Sequence, residues 1–117
     1  STYCNSWIFE QFDPEQPFES MARAYTELFI VRDEGWKEKY IEKMHKIFKF
    51  HGIIFHDAKT CPSNTNSRYG MPQRLSEKLG IPCVTISGDL NDLRLYSEEQ
   101  TRTQIEALVE QMEQVVQ

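Results

Sequence analysis

"HGIIFHDAKTCPSN", residues 51–64, decides how the second half of the chain is read. Ile53, Ile54 and Phe55 are β-branched and aromatic, and Gly52 stops the helix before them. They read as a short buried strand that ends at His56 and Asp57. Beyond it, in the polar stretch "DAKTCPSNTNS" (57–67), Cys61 stands directly before Pro62. A cysteine there sits on no periodic apolar face, so it is accessible. Lys59 beside it and a helix N-terminus ahead favour its thiolate. Such a position suits a metal or cluster ligand, or a nucleophile, although a loop cysteine with no role reads the same way.

Downstream, "MPQRLSEKLG" (71–80) is a helix that Gly80 ends, and "IPCVTIS" (81–87) is a second buried strand with Cys83 in its core. "GDLNDLRLY" (88–96) is a loop. "SEEQ" (97–100) is a capping box in which Ser97 and Gln100 satisfy each other's amides. The last helix carries Ile105, Leu108, Val109, Met112, Val115 and Val116 on one stripe. Residues 52–117 thus run strand, helix, strand, helix, the pattern of an α/β fold with a parallel sheet and right-handed crossovers.

Upstream, residues 17–51 are helical. A first helix starts at Pro17 and runs through "FESMARAYTELF" (18–29), with Phe18, Met21, Ala22, Tyr25 and Leu28 or Phe29 on one stripe. Asp33 and Gly35 break the pattern. "WKEKYIEKMHKIFKF" (36–50) then sets Trp36, Tyr40, Met44, Ile47 and Phe48 opposite lysines and glutamates. Residues 1–16 are irregular or an edge strand, with a break at Asp13-Pro14.

A chain of 117 residues is expected to form a single α/β domain. Two parallel strands are too few to stand alone. Either "SWIFEQF" (6–12) supplies a third or further strands lie elsewhere, and the chain is expected to be cut from something larger. Its lack of an initiating Met fits a processed, tagged or truncated chain, and "STYCNSWIFE" (1–10) lacks the basic and apolar regions of a signal peptide. A net charge of -5 leaves no basic footprint for nucleic acid, and no apolar run approaches a membrane span. The cysteines, Cys4, Cys61 and Cys83, are odd in number and form no C-x-x-C. That points to a reducing cytoplasm and away from a self-contained zinc or thioredoxin-type site.

Ligands of an open parallel sheet bind outside the carboxyl ends of its strands. Two loops leave those ends, "HDAKTCPSNTNSR" (56–68) and "SGDLNDLR" (87–94). Lying side by side, they bring His56, Asp57, Lys59, Cys61, Ser63 and Arg68 near Asp89, Asn91, Asp92 and Arg94. His56 either orients a ligand or caps backbone at the strand end. Asp57 and Asp89 form an acidic pocket for a cation or serve as ordinary turn caps. The loop ending at Arg68 offers a phosphate the N-terminus of a helix, without the glycines that let a backbone wrap closely. His45 and His51, among lysines, read as solvated.

Taken together, "GIIFHDAKTC" (52–61) and "LGIPCVTISGDLNDLRLYSEEQTRTQIEALVE" (79–110) resemble the C-terminal region of the 2-hydroxyacyl-CoA dehydratase and benzoyl-CoA reductase family. The family pattern is an apolar strand ending in His, then a basic residue and a Cys, here His56, Lys59 and Cys61. A Gly-Ile-Pro strand follows at Gly80, Ile81 and Pro82, and then Asp-x-x-Asp-x-Arg with an aromatic at Asp89, Asp92, Arg94 and Tyr96. Ser97, Glu98 and Gln100 open a helix that holds Glu106 and Ala107. "PFESMARAYTEL" (17–28) resembles the helix that precedes this region. The likeness runs from Pro17 onward.

The resemblance implies a flavodoxin-like half of a two-domain subunit, with a [4Fe-4S] cluster between the halves. Two cysteine ligands come from the N-terminal half and one from the C-terminal half, and the last matches Cys61. A hydrogen bond from His56 or a nearby amide would tune it. It further implies a lyase of anaerobic metabolism that works with a second dehydratase subunit. An ATP-hydrolysing activator protein delivers one electron to the cluster and on to the thioester of a (R)-2-hydroxyacyl-CoA, and a ketyl radical expels the hydroxyl to give an enoyl-CoA. Neither Cys83 nor Cys4 replaces the ligands of the other half, so this piece alone is expected to be inactive. In the last helix Gln104 stands where relatives often carry Arg. A reductase or a double-cluster electron carrier would use the same residues. A non-catalytic α/β module binding a phosphate-bearing ligand or a partner would rely on Arg68 and Arg94 instead.

Overall fold

Pro17 opens the first helix, α1 (Pro17–Thr26), where a missing N–H costs nothing because no intrahelical acceptor precedes it. The turn before it is built on Asp13, whose carbonyl accepts from the Gln16 amide (3.1 Å) and whose carboxylate accepts from Glu15 (2.9 Å). That is the break read at Asp13-Pro14. The computed structural model describes residues 12–61, 65, 68–89 and 91–116. Cys4 and residues 6–11 of the expected third strand lie outside them. The chain divides into two units between Lys37 and Glu38, inside a helix.

In the first unit the stripe expected on α1 is not a buried one. Phe18 is 88 % exposed and Met21 and Tyr25 are exposed as well, while Ala24 is buried. Periodicity shows that a face is apolar; it does not say that something covers it. After a single 3-10 turn at Phe29–Val31, Phe29 meets Trp36 edge-on at 6.2 Å. The Arg32 guanidinium lies over the Trp36 ring and the Lys37 ammonium over Phe29.

The next helix, α2 (Glu34–Phe48), begins where a break was expected. The Asp33 carboxylate accepts from the Trp36 amide at 2.8 Å, so Asp33 caps the helix and Gly35 sits in its first turn. Its far end also differs from the expectation. Lys49, at φ 49°, takes the left-handed conformation that ends the helix, its amide bonding to His45 O at 2.7 Å. Gly52 has another task. A Cβ there would stand 2.7 Å from Met112 Sδ and 3.4 Å from Leu108 Cδ1, so the bare backbone admits the last helix. Ile47 and Phe48 of the expected apolar face are exposed, whereas Glu38, read among the lysines and glutamates opposite, is buried.

The second unit is the α/β part: β1 (Ile53–Ala58), α3 (Met71–Leu79), β2 (Cys83–Gly88) and α4 (Glu98–Val116). Among the described residues the sheet is the parallel pair β1–β2, in register from Ile53 with Cys83 to Ala58 with Gly88. This is mixed α/β architecture of the flavodoxin-like half-domain kind. β1 is longer than its apolar core, because ladder hydrogen bonds join backbone whatever the side chains are. His56 and Asp57 therefore belong to the strand, not to the loop after it. Nor is the apolar run buried throughout: Phe55 is 4 % exposed and Ile54 53 %.

Phe55 packs with Met71 and Leu75 of α3, and Ile41, Ile53, Leu79 and Cys83 close round them. Burying a side chain of this size stabilises by about 2 kcal/mol. Gly80, at φ 65°, ends α3 as expected, its amide bonding to Ser76 O. α4 packs on β2 and buries Leu108, while Ile105 and Val109 of the expected stripe are exposed. The Ser97 hydroxyl accepts from the Gln100 amide at 3.4 Å, the forward half of the capping box. No described helix is long and apolar enough to cross a membrane.

Candidate functional site

The carboxyl ends of β1 and β2 lie together because the strands are parallel, and what leaves them forms the site. The chain turns at once after β1: the Cys61 amide donates to Ala58 O at 3.2 Å. That turn puts Lys59 and Thr60 at its corners and leaves Cys61 exposed as a free thiol. Thr65, 6 % exposed, donates from its hydroxyl to Ala58 O at 2.7 Å and lies 3.2 Å from Cys61 O.

The loop after β2 begins at Asp89. Its Oδ2 accepts from both the amide (3.0 Å) and the hydroxyl of Thr60, and its Oδ1 accepts from Asn91 (3.0 Å). The two loops are side by side, as the sequence led us to expect, and Asp89 joins them. The Thr60 hydroxyl first, then the Asn91 and Thr60 amides, hold the Asp89 carboxyl below the usual carboxylate range, with a small contribution from His56 charge. His56 itself is exposed on β1, and its imidazole lies over the bare α-carbon of Gly88.

The other expected members are engaged elsewhere. Asp57 pairs with Lys59, while Asp89 is held by Thr60. Arg94 forms a two-pronged pair with Asp92 at 2.8 Å, and its guanidinium holds the Asp92 carboxyl low. Ser63 lies outside the described residues, and Arg68 falls in a 3-10 turn, Arg68–Gly70, that leads into α3. His45, read as solvated, stacks edge-on against Phe50 at 4.9 Å; His51 is exposed. Cys83 is half-buried on β2, and burial pushes its thiol up to about 11.

Three residues of the site escaped the sequence reading. Thr60 and Thr65 were legible only as members of a polar Ser/Thr/Asn-rich loop, and Gly88 only as the first residue of the loop after the second strand. A threonine just past a strand, a few positions from a residue with a task, is the signal that was available.

A cluster ligand must offer a soft, accessible donor, and Cys61 does. Among the described residues no three His, Cys, Asp or Glu side chains gather as a metal site. An exposed thiol of this kind has the donor chemistry that a cluster ligand requires.

Over residues 1–112 the chain matches the family described as 2-hydroxyglutaryl-CoA dehydratase, D-component. It is 28% identical over 113 residues to the lactoyl-CoA dehydratase subunit alpha of Anaerotignum propionicum, covering 97% of this chain and 27% of that protein. It is 29% identical over 114 residues to the (R)-2-hydroxyisocaproyl-CoA dehydratase alpha subunit of Clostridioides difficile, covering 97% and 28%. With the (R)-2-hydroxyglutaryl-CoA dehydratase subunit alpha of Acidaminococcus fermentans it shares 24% over 111 residues, covering 95% and 22%. The chain spans about a quarter of the length of these curated relatives.

Proposed function

The chain belongs to the 2-hydroxyglutaryl-CoA dehydratase D-component family, and from that premise we propose that it serves in an alpha-type subunit of a 2-hydroxyacyl-CoA dehydratase. The proposed reaction is the loss of water from a (R)-2-hydroxyacyl-CoA to give an enoyl-CoA. A second dehydratase subunit and an ATP-dependent activator protein are the proposed partners, and the cytoplasm the proposed compartment. The names of the relatives as alpha subunits support a partner subunit.

The observation that carries the reading is the exposed Cys61 thiol at the carboxyl end of β1. In the proposal its thiolate is one ligand of a [4Fe-4S] cluster whose other ligands lie beyond the described residues. When bound, the cluster supplies single-electron chemistry at low potential. The chain's own residues do the rest. Cys61 donates sulfur to iron, and the Asp89–Thr60 bridge holds the neighbouring loop in register. His56, seated on Gly88, presents an imidazole at the same end of the sheet, where it orients polar groups of the site.

The test is iron and acid-labile sulfide per chain after anaerobic purification of the whole protein and of its Cys61→Ala form. About four irons per subunit, lost in the variant, is the expected result. Iron at wild-type stoichiometry in Cys61→Ala would remove the ligand assignment.

A further inference from the structure

Among the described residues the hydrogen bonds around Cys61 converge on its backbone, and its thiol is exposed. Its amide is held by Ala58 O at 3.2 Å. Thr65 Oγ1 reaches Ala58 O at 2.7 Å and Cys61 O at 3.2 Å. A hydroxyl has one hydrogen, so the shorter bond holds it and the Cys61 carbonyl takes the weaker share. Because Thr65 is 6 % exposed, water does not compete for these bonds. From the other side, Asp89 grips Thr60, the residue before Cys61, by both amide and hydroxyl.

We propose that Thr65 and Asp89 are positioning residues that fix the Cys61 backbone from two sides while its thiol stays in solvent; as a device for ligation this rests on the reading of Cys61 as a cluster ligand. Thr65 acts from within the same loop and Asp89 from the loop after β2, so the turn is tied both to itself and to the neighbouring strand end. A free loop must be ordered at the moment a metal binds, and that entropy is lost from the affinity. A loop already fixed gives the sulfur a single place to be. Both side chains act through the backbone of residues 58–61 and the Thr60 side chain.

The experiment uses the whole protein and the variants Thr65→Val, Thr65→Ser and Asp89→Asn, with the melting temperature of each as a control on folding. In iron-free protein, amide hydrogen exchange at Thr60 and Cys61 is expected to quicken roughly tenfold in Thr65→Val, as the loss of one shielded hydrogen bond allows. Asp89→Asn is expected to quicken exchange at Thr60, and Thr65→Ser to restore the wild-type rate. In iron-loaded protein, Thr65→Val is expected to release iron to a chelator about tenfold faster, and Thr65→Ser to reverse this. Unchanged exchange at Cys61 in a folded Thr65→Val would overturn the proposal. So would faster exchange spread evenly over β1 and β2, because that is general destabilisation. Iron retained by Cys61→Ala removes the cluster reading alone, and the exchange rates then decide whether the backbone is held by these two residues.

Discussion

A Cβ built on Gly88 would stand 3.2 Å from His56 Nε2 and 3.7 Å from its Cδ2, so the imidazole of one strand rests on the bare α-carbon of the other. His56 pairs with Ile86, which puts Gly88 two residues on, on the same face of the sheet. Gly88→Ala is expected to lift the ring by a few tenths of an ångström. The ring is exposed and has room to turn, so stability is expected to change by less than about 0.5 kcal/mol. The His56 imidazole resonances should shift nonetheless. Unmoved resonances in the folded variant would show that the ring does not rest there.

Asp89 makes stability depend on acid. A carboxyl whose folded pKa lies below its unfolded value adds stability that is full at neutral pH and is lost as pH falls through the folded value. Thr60 holds Asp89 in this way. The melting temperature is expected to fall below about pH 4, and to fall less steeply in Asp89→Asn. Parallel curves for the two proteins would mean that the Thr60 bridge does not survive in solution.

Glu38 joins α2 to α3. Its Oε1 accepts from Arg74 Nε at 2.7 Å and its Oε2 from Lys78 Nζ at 3.2 Å, with the side chain 7 % exposed. Burial pushes this carboxyl up, but the hydrogen bonds and charges of Arg74 and Lys78 together outweigh it and hold the carboxyl below its ordinary value. Glu38→Gln is expected to cost about 1–2 kcal/mol in denaturant unfolding. Lys78→Met, which removes a half-exposed cation paired with both Glu38 and Glu42, is expected to cost under about 1 kcal/mol. Equal costs would show that the Arg74 bond adds nothing to what Lys78 provides.

Cys61 and Cys83 differ in reach. Cys61 is exposed, while burial raises the Cys83 thiol to about 11. At pH 8 only about one Cys83 in a thousand is a thiolate. Iodoacetamide is therefore expected to label Cys61 much faster than Cys83, and urea to erase most of the difference. Peptide mapping reads each site separately.

Much of the second unit was legible. Gly80 ends α3 where a glycine at positive φ should, and Ser97 caps α4 as its spacing with Gln100 suggests. The parallel pair and the nearness of its two loops followed from element order, and Thr60 with Asp89 bears that out. What escaped were features in which backbone or charge acts against type. Lys49 ends α2 in a left-handed conformation that a long side chain seldom takes. Glu38 is buried because two cations reach it, and no hydropathy pattern records a partner 36 or 40 residues away. β1 continues through His56 and Asp57 because its hydrogen bonds lie in the ladder, not in the side chains. Phe18 shows the opposite failure, an apolar periodic position that the structure leaves in water.

The register of the sheet also fixes when it can form. Each residue of β1 faces the residue thirty positions later, from Ile53 and Cys83 to Ala58 and Gly88. No short hairpin can seed such a pairing; the whole crossover must close first, and its closure entropy is met before any ladder bond repays it. Helix α3, which lies within that crossover and carries Met71 and Leu75 to Phe55, shortens the gap that remains. Refolding is thus expected to protect the amides of α3 no later than those of the strands, and to protect β1 and β2 together.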